Sequence, residues 1–79
     1  MENVKHDLTF GQKAVGTRFN PSELTEVDEL KELYAQLIDC NNNLRDNTDN
    51  PEKKRQFSIA ITELQTAQMW TVKALTWQY

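Results

Sequence analysis

The sequence predicts an all-α fold: an antiparallel helical hairpin with a short N-terminal leader or helix, assembled as a homo-oligomer. Three observations carry this. Two long stretches, 23–45 and 51–78, repeat apolar residues at helical spacing. The two prolines, Pro21 and Pro51, stand where each stretch begins. The second stretch carries apolar residues on two opposite faces, and a 79-residue chain is too small to cover both by itself. The whole reads as one domain, 1–79, with no repeat, strand pair or linker.

The leader, 1–22, holds both glycines, Gly11 and Gly16, and ends in Phe19-Asn20-Pro21-Ser22. Leu8 and Phe10 can anchor a short helix or turn against the body. Asn3, Asp7, Gly11 and Gly16 argue against a long one. Pro21 restricts Asn20 to extended geometry, and either Asn20 or Ser22 can cap the helix that follows.

On the first long helix Val27, Leu30, Tyr34, Leu37, Ile38, Asn41 and Leu44 share one face, with Glu26, Glu29, Glu32, Gln36 and Asn43 outside it. Lys31 stands at the rim of this stripe, its charged tip able to reach back over the leader. Asp28, Glu29 and Glu32 suit the positive half of the helix dipole, and Arg45 the negative end. Residues 46–50 are polar and turn-rich, so they form a tight connection. Asn50 or Asp49 caps the second helix and Pro51 opens it. So short a connection makes the helices antiparallel, with Leu44 opposite Phe57 and Val27 or Leu30 opposite Leu75.

On the second helix Phe57, Ile61, Leu64, Gln68, Thr71, Val72, Leu75 and Tyr79 form the stripe that packs within the protomer. Ile59, Glu63, Thr66, Trp70, Lys73 and Trp77 lie around the other side. Two tryptophans one heptad apart there ask for another chain or a bound molecule, and we read Trp70, Trp77 and Ile59 as an oligomer interface. The row Thr62, Gln65, Thr66, Gln68, Thr71 and Thr76 either satisfies itself across a symmetric interface or lines a polar cavity.

Composition narrows the function. A net charge of -3 argues against a general DNA or RNA backbone binder, whose surface is basic. It leaves room for a small anionic ligand held by a few converging donors, for which Lys13, Arg18 and Lys31 are available. Phe19 can stack on a planar ring, and Asn20 or Ser22 can hydrogen-bond a base edge or a phosphate. Catalysis lacks its parts: His6 has no orienting carboxylate, Ser58 has no base, and Glu63 has no paired acid. Cys40, the one cysteine, forms no intramolecular disulfide and no zinc cluster, and reads as a small buried or half-buried residue. No membrane-length apolar run or signal-peptide pattern is present, so a reducing cytoplasm is the expected compartment. No metal or cofactor is called for. The Lys53-Lys54-Arg55 run reads as a solvated helix surface.

The segments Val15-Gly16-Thr17-Arg18-Phe19-Asn20-Pro21-Ser22, Leu30-Lys31, Leu37-Ile38-Asp39, Glu52-Lys53-Lys54-Arg55 and the run from Ser58 to Trp77 closely resemble the phage anti-CBASS protein 2 family. The resemblance implies a helical hairpin that assembles as a homohexamer in the host bacterial cytoplasm. It also implies a non-catalytic sponge that sequesters the cyclic nucleotides of bacterial antiphage defence. A cyclic dinucleotide such as cyclic GMP-AMP would then sit between protomers, with Phe19 stacking on a base and Lys31 meeting a phosphate. Arg18, Asn20, Ser22 and Lys13 would stand around it. Phe19 occupies a position where relatives often carry Tyr. A second site for cyclic trinucleotides, known in some relatives, would here draw on Thr62, Gln65, Thr66, Arg55 and Lys73, with apolar Ile61 where some relatives carry a basic residue. The competing reading is a structural or adaptor protein that inhibits a host protein through its Trp70 and Trp77 face.

Overall fold

The computed structural model describes residues 7–79, so His6 and Asn3 lie outside the described residues. Those described form three helices and no strand: α1 Phe10–Val15, α2 Thr25–Asp46 and α3 Pro51–Leu75.

The leader does contain a short helix. Thr9 and Gln12 make a capping box, the Thr9 hydroxyl accepting from the Gln12 amide (3.0 Å) and the Gln12 side chain accepting from the Thr9 amide (2.9 Å). At the other end Gly16 takes the left-handed conformation, φ 66°. The Thr17 and Gly16 amides then return to the carbonyls of Gln12 and Lys13 in a Schellman arrangement. Six residues are too few to stay helical alone, so packing must hold α1 in place. Gly11 provides it. A Cβ on Gly11 would lie 2.1 Å from the Ala35 carbonyl oxygen, and the Gly11 amide donates to the Asp39 carboxylate at 2.7 Å.

α2 begins later than expected and is capped differently. Its N-cap is Leu24, with no side-chain cap, because Asn20 and Ser22 spend their polar atoms on the turn that precedes it. The connection behaves as read. The Asn50 carboxamide oxygen accepts from the amides of Glu52 (2.9 Å) and Lys53 (3.1 Å), Pro51 opens α3, and the Lys54 ammonium donates to the Arg45 carbonyl at 3.0 Å.

α2 and α3 run antiparallel. Tyr34 meets Thr71 hydroxyl to hydroxyl (3.4 Å), and farther toward the connection the Arg45 guanidinium donates to Ser58 at 2.9 Å. Between them lies the core of Val15, Ala35, Ile38 and Ile61, flanked by Ala14, Tyr34 and Leu64. The buried stripe of α2 is Val27, Lys31, Ala35 and Ile38, rotated from the face expected. Leu37 and Leu44, expected inside, are about half exposed. The reason is α1, which lies on the Ala35 and Asp39 flank and draws the buried side of α2 toward itself. Cys40 falls on the opposite flank and is exposed, against the expectation of burial.

α3 buries Ile61 and Gln68 and leaves Ile59 and Trp70 outside, as the periodicity required. It ends at Leu75 rather than 78, capped by Thr76, so Leu75 is partly exposed and Tyr79 almost fully so. Among the described residues no helix is long and apolar enough to cross a membrane.

Gly11→Ala should therefore destabilise the protein by about 1–3 kcal/mol, because the Ala35 carbonyl is backbone and cannot swing aside. Urea unfolding followed by circular dichroism measures it. A wild-type midpoint in the variant would mean that α1 does not depend on this contact.

Candidate functional site

Lys31 builds the site. It projects from the middle of the buried stripe of α2, only 5% exposed, and its ammonium donates to the carbonyls of Gly16 (3.1 Å) and Phe19. The Gly16 carbonyl also accepts from the Phe19 amide at 2.9 Å, so residues 16–19 wrap around the lysine head. The same ammonium lies 5.5 Å from the centroid of the Phe19 ring, within cation–π range. The ring itself is 69% exposed. An ammonium has three donors, and the two carbonyls take two of them.

After Phe19 the chain turns sharply. The Asn20 carboxamide oxygen accepts from the Glu23 amide (3.1 Å) and from the Ser22 hydroxyl, while its NH₂ donates to the Leu24 carbonyl and to the Asp28 carboxylate, both at 2.9 Å. This closure drives Glu23 to φ 61°, a left-handed conformation that a side chain with a Cβ adopts at a cost of about 1–2 kcal/mol. The turn walls a cleft of about 360 Å³ lined by Phe19, Asn20, Pro21, Ser22, Val27, Lys31, Val72 and Thr76. That volume is at the low end of small-molecule sites, which run from about 300 to 1,000 Å³.

Phe19, Asn20, Ser22 and Lys31 are thus brought together as expected. Lys13 and Arg18 are not among the lining residues: both are exposed, Lys13 on the last turn of α1. The amide of Asn20 is consumed by the turn, so it shapes the cleft more than it reads a ligand. Val72 and Thr76 were missed in the sequence. The antiparallel register, which sets Val27 against the end of α3, was the signal that could have found them.

The residues expected for a second site are spread along α3. Thr66 and Lys73 line a shallow hollow of about 230 Å³ with Met69 and Trp70. Arg55 and Lys73 stand about five turns apart, about 27 Å along the helix, so one protomer cannot direct both at one ligand. Arg55 is also engaged: it forms a two-pronged pair with Glu52 at 2.7 and 3.0 Å. That guanidinium, with help from Gln56, holds the Glu52 carboxyl below its ordinary range, and the carboxylate in turn raises Arg55. The hydroxyls of Thr62, Thr66, Thr71 and Thr76 each donate to the carbonyl four residues earlier, at 2.9–3.2 Å. They need no partner chain to satisfy them.

Trp70 is 65% and Trp77 57% exposed. The Lys73 ammonium sits 5.0 Å from the first ring and 5.5 Å from the second. No cluster of side chains that could hold a metal ion occurs among the described residues.

The family model of the Acb2/Tad1 hairpin domain matches residues 12–76, from α1 through the cap of α3. The chain belongs to this family. The Acb2/Tad1 hairpin is that of anti-CBASS protein 2, and membership points to a phage anti-CBASS or cyclic-nucleotide-sequestering role. No curated protein and no solved structure matches the chain. The Acb2/Tad1 match contains every residue that lines the Phe19 cleft.

Two substitutions probe the site in the free protein. Lys31→Met keeps the apolar stem but takes the ammonium donor from both carbonyls, leaving Gly16 with the Phe19 amide alone, and should cost about 2 kcal/mol in urea unfolding. Glu23→Gly relieves the left-handed backbone and should raise stability by about 1 kcal/mol in the same assay. A destabilised Glu23→Gly variant would show that the Glu23 side chain holds the turn.

Proposed function

We propose that this protein is a non-catalytic sponge for cyclic dinucleotides such as cyclic GMP-AMP, blocking CBASS signalling by holding the messenger away from its effector. The observation that carries the reading is Phe19, a largely exposed ring held over a buried lysine at the mouth of a cleft, within a chain of the Acb2/Tad1 family. Phe19 offers one base a stacking surface. Lys31 offers a phosphate its remaining donor, in a cleft where desolvation strengthens a charged hydrogen bond.

The cleft of one protomer is too small to enclose a two-base ligand, so the site is completed between protomers of a homo-oligomer. The exposed Trp70 and Ile59 on α3, together with the half-exposed Leu37 and Leu44 on α2, are apolar surface that association would cover. A hexamer in the host bacterial cytoplasm is the assembly and setting in line with the family resemblance. Cyclic trinucleotide binding would need several copies of α3 around one axis, each contributing Thr62, Gln65, Thr66 and Lys73, with Arg55 released from Glu52.

Sequestration without chemistry makes a sharp demand. The ligand must come back unchanged. Incubation with a panel of cyclic di- and trinucleotides, heat denaturation and chromatography should return intact nucleotide, whereas a linearised product would make the protein an enzyme. In calorimetry, Phe19→Ala should weaken cyclic dinucleotide binding by about 5- to 150-fold, the worth of one base–aromatic stack. Arg18→Ala, outside the cleft lining, should weaken it less. Wild-type protein that binds no member of the panel, or that stays monomeric at micromolar concentration in light scattering, would overturn the reading and favour the adaptor alternative.

A further inference from the structure

Lys31, Ala35 and Asp39 stand four residues apart on α2 and so share one face of it. Each grips a different point of the chain that leads to the cleft. The Asp39 carboxylate accepts from the Gly11 amide at 2.7 Å, the Ala35 carbonyl fills the place a Gly11 Cβ would take, and the Lys31 ammonium holds the Gly16 and Phe19 carbonyls. Beside this row the Arg45 guanidinium lies 5.6 Å from the Phe10 ring centroid, and the Gln12 carboxamide donates to Glu32 at 3.4 Å. Residues 9–19 thus lie along α2 as a strap, starting near Arg45 and ending over Lys31.

Two features set the strap apart from the hairpin beneath it. The six residues of α1 are too few to remain helical once lifted, so release at one end loosens the other. Its polar fasteners also let go into water: the Lys31 ammonium, the Asp39 carboxylate and the Gly11 amide are all solvated when the strap lifts. The apolar side chains that the strap itself buries are Val15 and, in part, Ala14. Meanwhile α2 and α3 keep the Tyr34–Thr71 and Arg45–Ser58 contacts, and the turn after Phe19 keeps its own ties from Asn20 to Leu24 and Asp28. Lifting therefore removes the Phe19 ring from the cleft and leaves the turn, Val27, Val72 and Thr76 where they are.

We infer that residues 9–19 dock and lift as one cooperative strap, and that its grip at Gly11, outside the cleft, governs whether Phe19 and Lys31 are set for a ligand. The coupling is reciprocal, so a ligand held at Phe19 must tighten the grip at Gly11. That second half rests on the cyclic-dinucleotide reading above. The strap itself rests on contacts within the free chain.

Hydrogen exchange of the full chain, read amide by amide, tests both halves. Thr9→Ala removes the hydroxyl that caps α1, whose partner is the Gln12 amide. It should speed exchange at the Phe19 amide by about 2- to 30-fold, the worth of an N-cap, while the middles of α2 and α3 keep their wild-type rates. Lys31→Met should in turn speed exchange at the Gly11 amide, whose acceptor is Asp39 and not Lys31. An unchanged Phe19 amide in Thr9→Ala would overturn the strap by making α1 and the following loop separate pieces. Equal acceleration throughout α2 and α3 would overturn it by making the opening global. With cyclic GMP-AMP at about 100 times its Kd, exchange at the Gly11 amide should slow by up to about 100-fold. Unchanged exchange there in protein that has bound the nucleotide would overturn the coupling. Protein that binds no cyclic dinucleotide overturns the sponge reading instead, and the free-chain exchange alone then decides the strap.

Discussion

The ammonium of Lys31 is the point on which the leader, the first long helix and the cleft depend. A lysine only 5% exposed is expensive to bury unless its donors are used, and two leader carbonyls use two of the three. Those carbonyls in turn need the leader to arrive in one place. It does so because Gly11 lets α1 lie against the backbone of α2 and because Gly16 turns the chain sharply after α1. Burial of one cation thus fixes the path of residues 16–19, and that path sets Phe19 at the mouth of the cleft. Packing and cleft geometry share the same few atoms.

This economy explains the division of labour around the cleft. Asn20 has the chemistry to read a base but is occupied in closing the turn, and Ser22 is tied to it. A turn so fully hydrogen-bonded suits the sponge role proposed above: side chains that need no reordering on binding lose less entropy. The strained backbone at Glu23 belongs to the same closure.

Much of the hairpin was legible in the sequence because its signals are local. Pro51 after Asn50 marks a helix start by its missing N–H, and the two opposed faces of α3 follow from 3.6-residue periodicity alone. What was not legible depended on a third body. The buried face of α2 could not be read from α2, because the rotation toward Lys31 and Ala35 is imposed by α1. The capping box of Thr9 and Gln12 was in plain sight but was overshadowed by two glycines that looked like loop residues. One of them is a helix contact and the other a helix terminator. At the C-terminal end periodicity carried too far: it had no means of knowing that Thr76 would cap the helix and redirect Trp77. At the cleft, Phe19 and Lys31 were legible as residue types, whereas Val72 and Thr76 required the register of the pair.

The exposure of Cys40 has a practical side. It is the one sulfur of its kind among the 79 residues, on the flank of α2 turned away from α1 and some two and a half turns from Lys31. A maleimide dye can therefore be attached to the native chain, without engineering and away from the Phe19 cleft. The rate at which that thiol reacts reports whether this flank meets solvent, and stepwise photobleaching of the attached dyes counts the chains in whatever species forms.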